Sequence, residues 1–124
     1  MIVVSVTYPA ASGTHFDLEY YRTKHVPLVQ SLWGPCGLTA AEYMHGTGAP
    51  PPPHRPHAVA RTGAPGGGTA AYFLVALLSF ETKDAFENAG KQHGREIMGD
   101  VRNFTDVKPV VQFNEALQVA TAPQ

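Results

Sequence analysis

Short apolar runs separated by turn-forming residues predict four β-strands along the chain. The first is the β-branched run Ile2 to Tyr8, and a weaker run follows from Gly37 to Gly46. Tyr72 to Phe80 is the most apolar stretch, and the last run, Val107 to Val119, carries the polar residue Gln112 on one of its faces. Runs of this kind, rich in β-branched and aromatic residues, are typical of strands.

The segment from Phe16 to Trp33 has the periodicity of an amphipathic helix, but a proline, Pro27, lies within it. Asp17 is a suitable N-cap, since its carboxylate can accept hydrogen bonds from the free amides of the first turn. Pro27 removes a backbone donor, so we expect the helix to kink near His25 or to divide into two short helices. The residues at spacings of three to four, which should share the buried face, are Tyr21, His25, Leu28 and Leu32.

A second helix is predicted between the third and fourth strands. Thr82 is its expected N-cap, and Gly94 interrupts the helical pattern before a further turn or two. The order of elements is therefore β-α-β-β-α-β. This order indicates an α+β, ferredoxin-like fold, in which an antiparallel four-stranded sheet carries both helices on one face.

The segment between the second and third strands has a different composition from the rest of the chain. Residues 47–70 are rich in proline and glycine, and they predict a long, mobile surface loop. His54 and His57 lie in this loop without the cysteine or carboxylate neighbours of a metal site. We assign residues 1–119 to one domain that contains this loop, and residues 120–124 to a flexible tail.

The two faces of the predicted sheet raise a question of burial. Tyr72 to Phe80 is apolar on both faces, whereas two helices can cover only one of them. An uncovered apolar face of this size is unusual in a monomer. A second copy related by a two-fold axis is the simplest cover. We therefore expect a homodimer whose sheets meet face to face as a dimeric barrel, with polar residues of that face lining an interior cavity.

Composition and charge exclude several classes of function. The 124 residues carry a net charge of -1, which offers no basic surface for nucleic acid or an anionic membrane. No apolar run has the length of a membrane span. The single cysteine, Cys36, excludes an internal disulfide and fits the reducing cytoplasm, where we expect the protein to act. Nucleotide-binding and paired-cysteine motifs are absent, so we expect no metal and no cofactor.

Two long motifs resemble one known family. The pattern F-D-x-x-Y-Y-x-x-K-H-x-P-L from Phe16 to Leu28 is similar to the first-helix motif of EthD-domain proteins. The pattern H-G-x-E-I-M-x-D-V-x-N-F-T-D-x-x-P from His93 to Pro109 resembles the second half of the same domain. The resemblance implies a dimeric α+β barrel. It also implies a role in degradation or secondary metabolism, since some fungal relatives resemble dehydratases or decarboxylases of polyketide-derived aromatics.

His25 is the first candidate for chemistry, because an imidazole can take and return a proton near neutral pH. Tyr21, one turn earlier on the same face, would orient it or donate to a substrate carbonyl. The alternative is structural: His25 caps the carbonyl of residue 23 that Pro27 leaves free. His93 and Asp100 form a second group, in which Asp100 either sets the tautomer of a histidine or satisfies backbone amides of a turn.

The sequence supports two hypotheses of different class. The first is a small cofactor-independent enzyme, lyase-, dehydratase- or cyclase-like, acting on an apolar carbonyl or polyphenolic compound, with His25 as the acid-base group and Tyr21 and His93 assisting. The second is a non-catalytic dimeric protein that binds a hydrophobic or aromatic metabolite. A cofactor-free monooxygenase is a further relative by analogy of fold alone. The residues expected to contact the ligand are Trp33, Tyr43, Asp100, Asn103 and Gln112.

Overall fold

The computed structural model describes residues 1–51 and 68–117, and four strands form one antiparallel sheet within them. The strands are β1 (Ile2–Pro9), β2 (Leu38–His45), β3 (Tyr72–Phe80) and β4 (Val110–Asn114), in the spatial order β2-β3-β1-β4. The predicted ferredoxin-like α+β architecture is therefore confirmed. The last strand is shorter than predicted, since it begins only after Pro109, whose ring nitrogen cannot donate to the sheet.

The central strands place a continuous apolar surface on one side of the sheet. Val4 of β1 lies opposite Leu78 of β3, and Tyr8 lies opposite Leu74, so all four side chains share a face. These residues are almost fully buried beneath the helices. The other face is only half-buried, and its central residues are Val3, Ser5, Thr7, Val75, Leu77 and Ser79.

The first helical segment, α1, changes its hydrogen-bonding pattern at the histidine. It consists of an α-helical turn (Leu18–Tyr20), a π-helical segment (Tyr21–His25) and an α-helix (Val26–Trp33). Asp17 caps it as predicted, and its Oδ1 accepts from the amide of Tyr20 at 3.0 Å. The helix continues through His25 without dividing, because the amide of Val26 donates to the carbonyl of Tyr21. The alternative of two separate helices is therefore wrong, and a wider turn lies there in place of a break; the kink near His25 stays a prediction.

The π-helical segment also moves the buried stripe of α1. The sequence predicted that Leu28 and Leu32 would continue the face of Tyr21 and His25, but both leucines are only half-buried. A π turn takes more residues than an α turn, so the face after it is displaced along the sequence. The buried residues lie at a constant spacing of four, and they are Tyr21, His25, Val29 and Trp33.

The second helical segment, α2, has a similar composite form. An α-helix (Lys83–Ala89) leads into a π-helical segment (Gly90–Gly94), a second α-helix (Arg95–Asp100) and a 3-10 turn (Val101–Asn103). The predicted cap is confirmed, since Thr82 Oγ1 accepts from the amide of Ala85 at 3.0 Å. The expected interruption at Gly94 is a change of helix type, after which the helix continues.

Two hydrophobic clusters join the helices to the sheet. One contains the indole of Trp33, whose Nε1 donates to the carbonyl of Ala89 at 3.0 Å and so fixes α1 against α2. The other is largely aromatic and includes Tyr8, Tyr21 and Phe104, which meet in edge-to-face pairs. This geometry stabilises aromatic pairs beyond the burial of their area.

Several sequence predictions fall at the limits of the described residues. The predicted loop has its ends joined, since the backbone groups of Ala49 and Gly68 exchange two hydrogen bonds of 3.0 Å. Its inner residues, 52–67, lie outside the described residues, and so do residues 118–124; the predictions of a mobile loop and a loose tail are thus not addressed. In residues 1–51 and 68–117, no helix has the length and apolarity needed to cross a membrane.

Candidate functional site

Asp100 joins side chains from both helical segments at one carboxylate. Its Oδ2 lies 2.9 Å from Nδ1 of His25, across 75 residues of sequence. Its Oδ1 accepts from the hydroxyl of Tyr20 at 2.7 Å and from Nδ2 of Asn103 at 2.9 Å. A carboxylate with these three donors is held in one orientation, and it holds the imidazole of His25 in turn.

Burial and hydrogen bonding decide the protonation of this pair. Burial raises the pKa of Asp100, but hydrogen bonds from Asn103, His25 and Tyr20 outweigh it, so the pKa lies below its usual range. Burial also lowers the pKa of His25, and the carboxylate of Asp100 offsets this only in part. At neutral pH, the carboxylate is therefore ionised and the imidazole neutral. The ionised carboxylate can only accept, so the imidazole carries its proton on Nδ1.

The second imidazole nitrogen, Nε2, is left with a free lone pair. Among residues 1–51 and 68–117, no hydrogen-bond partner contacts this atom. No fully enclosed side-chain nitrogen or oxygen in the same part of the chain lacks a partner. Because His25 is only 4% exposed and lines an internal cavity, the accessible edge of its ring faces that cavity.

The cavity lies between the helices and the sheet. The space that a water-sized sphere can enter is about 30 Å³, well below the volume of small-molecule sites, so a ligand requires the wall residues to move apart. Met98 stands at its edge and is 46% exposed. The walls are almost entirely apolar or aromatic, and the lining residues are Val6, Tyr8, Tyr21, His25, Val29, Trp33, Tyr43, Ala76, Leu78, Ile97 and Met98.

Two aromatic rings pack against the imidazole of His25. The ring of Phe104 lies 4.7 Å from that of His25 between centroids, and the ring of Tyr21 lies 5.2 Å away. With Asp100 bound to Nδ1, the imidazole has little freedom to turn. A histidine held in this way presents Nε2 to the cavity at a defined position, which is the requirement for proton transfer to or from a bound molecule.

The structure brings together most of the residues selected from the sequence. His25, Tyr21, Trp33 and Tyr43 all line the cavity. Asp100 and Asn103 lie behind His25, so they act on the imidazole instead of contacting a ligand in the cavity. The structural alternative, in which His25 caps the carbonyl of residue 23, named the wrong partner. Nδ1 of His25 contacts the carboxylate of Asp100.

Two selected residues lie elsewhere. His93 is separate from the cavity lining, and its Nδ1 is 3.5 Å from Oε1 of Glu96 on the surface of α2. Gln112 pairs with Ser5 on the sheet face opposite the helices, and its amide donates to Oδ1 of Asn114 at 2.6 Å. The expectation of one barrel cavity holding both His25 and Gln112 is therefore wrong, because the sheet separates them.

Two tyrosines of the site were missed by the sequence reasoning. Tyr20 donates to Asp100, and Tyr8 supplies a wall of the cavity. Tyr20 lies in the motif from Phe16 to Leu28, and Tyr8 lies at the end of an apolar strand next to a turn. Both positions could therefore have been selected from the sequence. Among the residues that the structure describes, no group of three or more histidine, cysteine or acidic side chains is arranged to hold a metal ion.

The fold and site define an α+β protein of ferredoxin-like architecture with a His-Asp pair beside an apolar cavity. The family model described as "EthD domain" matches residues 14–108, so the chain belongs to the EthD domain family. An EthD-like protein from Ralstonia eutropha JMP134 is 27% identical, with a TM-score of 0.78 over 97% of this chain and 95% of that one.

Two more distant structures share the fold alone. An ethyl tert-butyl ether D family protein from Bacillus halodurans C-125 is 15% identical, with a TM-score of 0.58 over 94% of this chain and 99% of that one. HapK from Hahella chejuensis is 11% identical, with a TM-score of 0.53 over the full length of both chains. Among curated proteins, none matches this chain.

Proposed function

We propose that the chain is an enzyme in which His25 transfers a proton to and from a carbon atom next to a carbonyl group. The observation that supports this role is the free Nε2 of a neutral imidazole at an apolar cavity, with Asp100 fixed 2.9 Å from the other nitrogen. A general base must be neutral, oriented and able to reach the proton that it removes. The His25–Asp100 pair meets the first two requirements before any ligand binds.

The proposed step begins with the C–H bond next to the carbonyl. Its proton moves to Nε2, and the electron pair of that bond forms an enolate. The resulting imidazolium keeps its Nδ1–H bond to the carboxylate of Asp100, which stabilises the new positive charge. Exchange of the proton on Nε2 with solvent, followed by return to the same carbon, gives isotope exchange, and delivery of the proton to a different carbon of the enolate system gives isomerisation. Delivery of the same proton to a leaving hydroxyl group, as the enolate expels it, gives a dehydration and releases one water.

The apolar walls select the kind of substrate. Trp33, Val29 and Ile97 offer no charged group to a ligand, and the cavity is narrow. A flat, apolar ketone or polyphenol fits these walls better than a charged metabolite, because an unpaired charge loses its hydration on entering such a site. A lyase or cyclase acting on such a compound requires the same first step, so this step is the one to test.

The test uses 2-indanone, a flat ketone with exchangeable protons, in deuterated buffer. Wild-type protein should accelerate the loss of the proton signals next to the carbonyl, followed by NMR. His25→Gln should lower this acceleration by about 10² to 10⁴, since glutamine keeps a hydrogen-bonding amide but cannot shuttle a proton. His93→Gln and the exposed His15→Gln serve as matched controls, and both should retain the wild-type rate.

The outcomes separate an enzyme from a binding protein. Loss of exchange in His25→Gln, with an unchanged melting temperature, supports the proposed base. Full exchange activity in His25→Gln would refute the assignment. Binding of 2-indanone, detected through the fluorescence of Trp33, without any exchange above buffer would instead identify a protein that binds a hydrophobic carbonyl compound.

A further inference from the structure

Two phenolic hydroxyl groups in the cavity have no role in the interactions described so far. Tyr8 is 2% exposed and Tyr21 is 3% exposed, and both line the cavity next to His25. Neither hydroxyl has a hydrogen-bond partner within residues 1–51 and 68–117, although every enclosed polar side-chain atom there is paired. The two hydroxyls must therefore reach the open space of the cavity.

The positions of the rings bring the phenols close to the proposed base. The rings of Tyr8 and Tyr21 lie 6.0 Å apart between centroids at an interplanar angle of 80°, and Tyr21 lies 5.2 Å from His25. Tyr43 borders the same space, 5.9 Å from Tyr21, but it is more exposed, and its hydroxyl accepts a weak bond of 3.4 Å from Gln30. Tyr8 and Tyr21 are thus the two buried phenols whose hydroxyls are unpaired among the described residues.

The choice of tyrosine at these positions has a physical cost. A hydroxyl that opens only to a small apolar cavity loses most of its hydrogen bonds to water, whereas phenylalanine would fill nearly the same volume without that loss. Tyr20 shows the contrast, because its hydroxyl is satisfied by Asp100. A polar group that is buried, unpaired and directed into a cavity is suited to a ligand that supplies the missing acceptor.

We propose that the hydroxyls of Tyr8 and Tyr21 form a two-donor site for one ligand oxygen, either the enolate oxygen formed during proton transfer or the oxygen of a phenol. The proposal deepens the proposed function and rests on it for the enolate. It also narrows the ligand to flat enolisable ketones and phenols. Such donors stabilise most strongly the oxygen that carries negative charge, so they favour the enolate over the ketone.

The protonation of the two phenols agrees with this role. Burial raises the pKa of Tyr8, and the charges of Asp100 and Tyr43 raise it further. Burial raises the pKa of Tyr21 as well, and repulsion between its ionised form and those of Tyr8 and Tyr43 adds to the effect. Both hydroxyls therefore keep their protons and remain donors at neutral pH.

The experiment compares 4-nitrophenol with 4-nitroanisole, which has nearly the same shape but no ionisable hydroxyl. Wild-type protein should bind 4-nitrophenol more tightly, and its phenolate band should increase on binding at a pH near the pKa of the free phenol. Tyr8→Phe and Tyr21→Phe should each weaken this binding about tenfold or more, as expected for a lost hydrogen bond to a charged oxygen. Both variants should bind 4-nitroanisole as wild type does.

Controls and stability distinguish a binding role from a structural one. Tyr72→Phe is the matched control, because Tyr72 is 42% exposed and separate from the cavity lining, and it should leave the affinity unchanged. The melting temperature of Tyr8→Phe and Tyr21→Phe should be equal to or higher than that of wild type. A structural hydroxyl would instead lower the melting temperature and leave the ligand preference intact.

The comparison also separates this proposal from the proposed function. His25→Gln should keep the preference for 4-nitrophenol over 4-nitroanisole even where exchange of 2-indanone is lost, since the two donors remain. Exchange by wild type with no preference for 4-nitrophenol would refute the two-donor site and retain the base. Equal affinity of wild type for the two probes, or no binding of 4-nitrophenol, would overturn the proposal without requiring any variant.

Discussion

Replacement of Asp100 by asparagine should reverse the tautomer of His25 with little change in the fold. The carboxylate accepts two donors at Oδ1, from Tyr20 and Asn103, and one at Oδ2, from His25. The single oxygen of asparagine keeps two hydrogen bonds if it takes the position of Oδ1, but only one if it takes the position of Oδ2. Its amide nitrogen then faces Nδ1 of His25, which must accept. The imidazole proton therefore moves to Nε2, and the lone pair of the base is no longer directed at the cavity.

The size of each effect follows from these contacts. The two bonds at Oδ1 persist but lose the assistance of the negative charge, and relief from burying the carboxylate offsets part of the loss. We expect Asp100→Asn to lower the free energy of unfolding by about 1 to 3 kcal/mol. The exchange of 2-indanone should fall by about 10² to 10⁴, because a protonated Nε2 cannot act as the base. Asp100→Ala leaves the buried Nδ1–H of His25 without an acceptor, and this loss alone should cost about 1 to 3 kcal/mol.

Long-range ¹H–¹⁵N NMR spectra of the imidazole report the tautomer directly. Wild-type protein should show the proton on Nδ1 of His25, and Asp100→Asn should show it on Nε2. Asp106→Asn is the matched control, because the carboxylate of Asp106 accepts from the backbone amide of His15, away from the cavity. An unchanged tautomer in Asp100→Asn would refute the reasoning, and so would exchange activity that persists after the tautomer has reversed.

Two further predictions concern the surface and the pH range of the protein. We expect a homodimer that forms through the half-buried sheet face. Val75→Glu on that face should give the monomer mass by light scattering, whereas Lys91→Glu on α2 should stay dimeric. A monomeric wild type would contradict the dimer. Because the pKa of His25 is lowered from its usual 6.5 in the folded protein, the free energy of unfolding should decline as the pH falls below 6.5, and exchange should decline only at the lower pH where the folded-state imidazole takes up its proton. The raised pKa values of Tyr8 and Tyr21 predict a loss of stability above pH 10, smaller in the phenylalanine variants. An acid unfolding curve that His25→Gln leaves unchanged, or an alkaline curve that the phenylalanine variants leave unchanged, would contradict the linkage.

The elements of the fold could be predicted because their signals are local. The alternation of β3, the cap at Asp17 and the cap at Thr82 depend on neighbours within a few residues. The π-helical segments have no comparable local signal in the sequence, since α and π turns accept similar residues. Each changes the face that follows it, which explains why Val29 and Trp33, in place of Leu28 and Leu32, complete the buried stripe.

The site itself required the tertiary structure. His25 and Asp100 were both selected from the sequence, but their contact spans 75 residues and depends on how α1 and α2 lie against each other. Gln112 lies on the outer face of the sheet, where its polarity placed it, but the cavity next to His25 lies on the other face. Strand alternation predicts which residues share a face with Gln112, and Ser5 lies opposite it. Alternation does not predict which face of the sheet borders the cavity.

The properties that make His25 suitable as a base come from the same burial that forms the core. The rings of Tyr21 and Phe104 exclude water from the imidazole, which keeps it neutral, and their edge-to-face packing at 5.1 Å stabilises the protein. Exclusion of water also strengthens the bond to Asp100, because a hydrogen bond to a charge is stronger in an apolar surrounding. A more open site would leave the imidazole protonated over more of the physiological pH range and free to rotate. The aromatic cluster therefore serves the stability of the fold and, on the proposed function, the reactivity of the histidine through one arrangement of side chains.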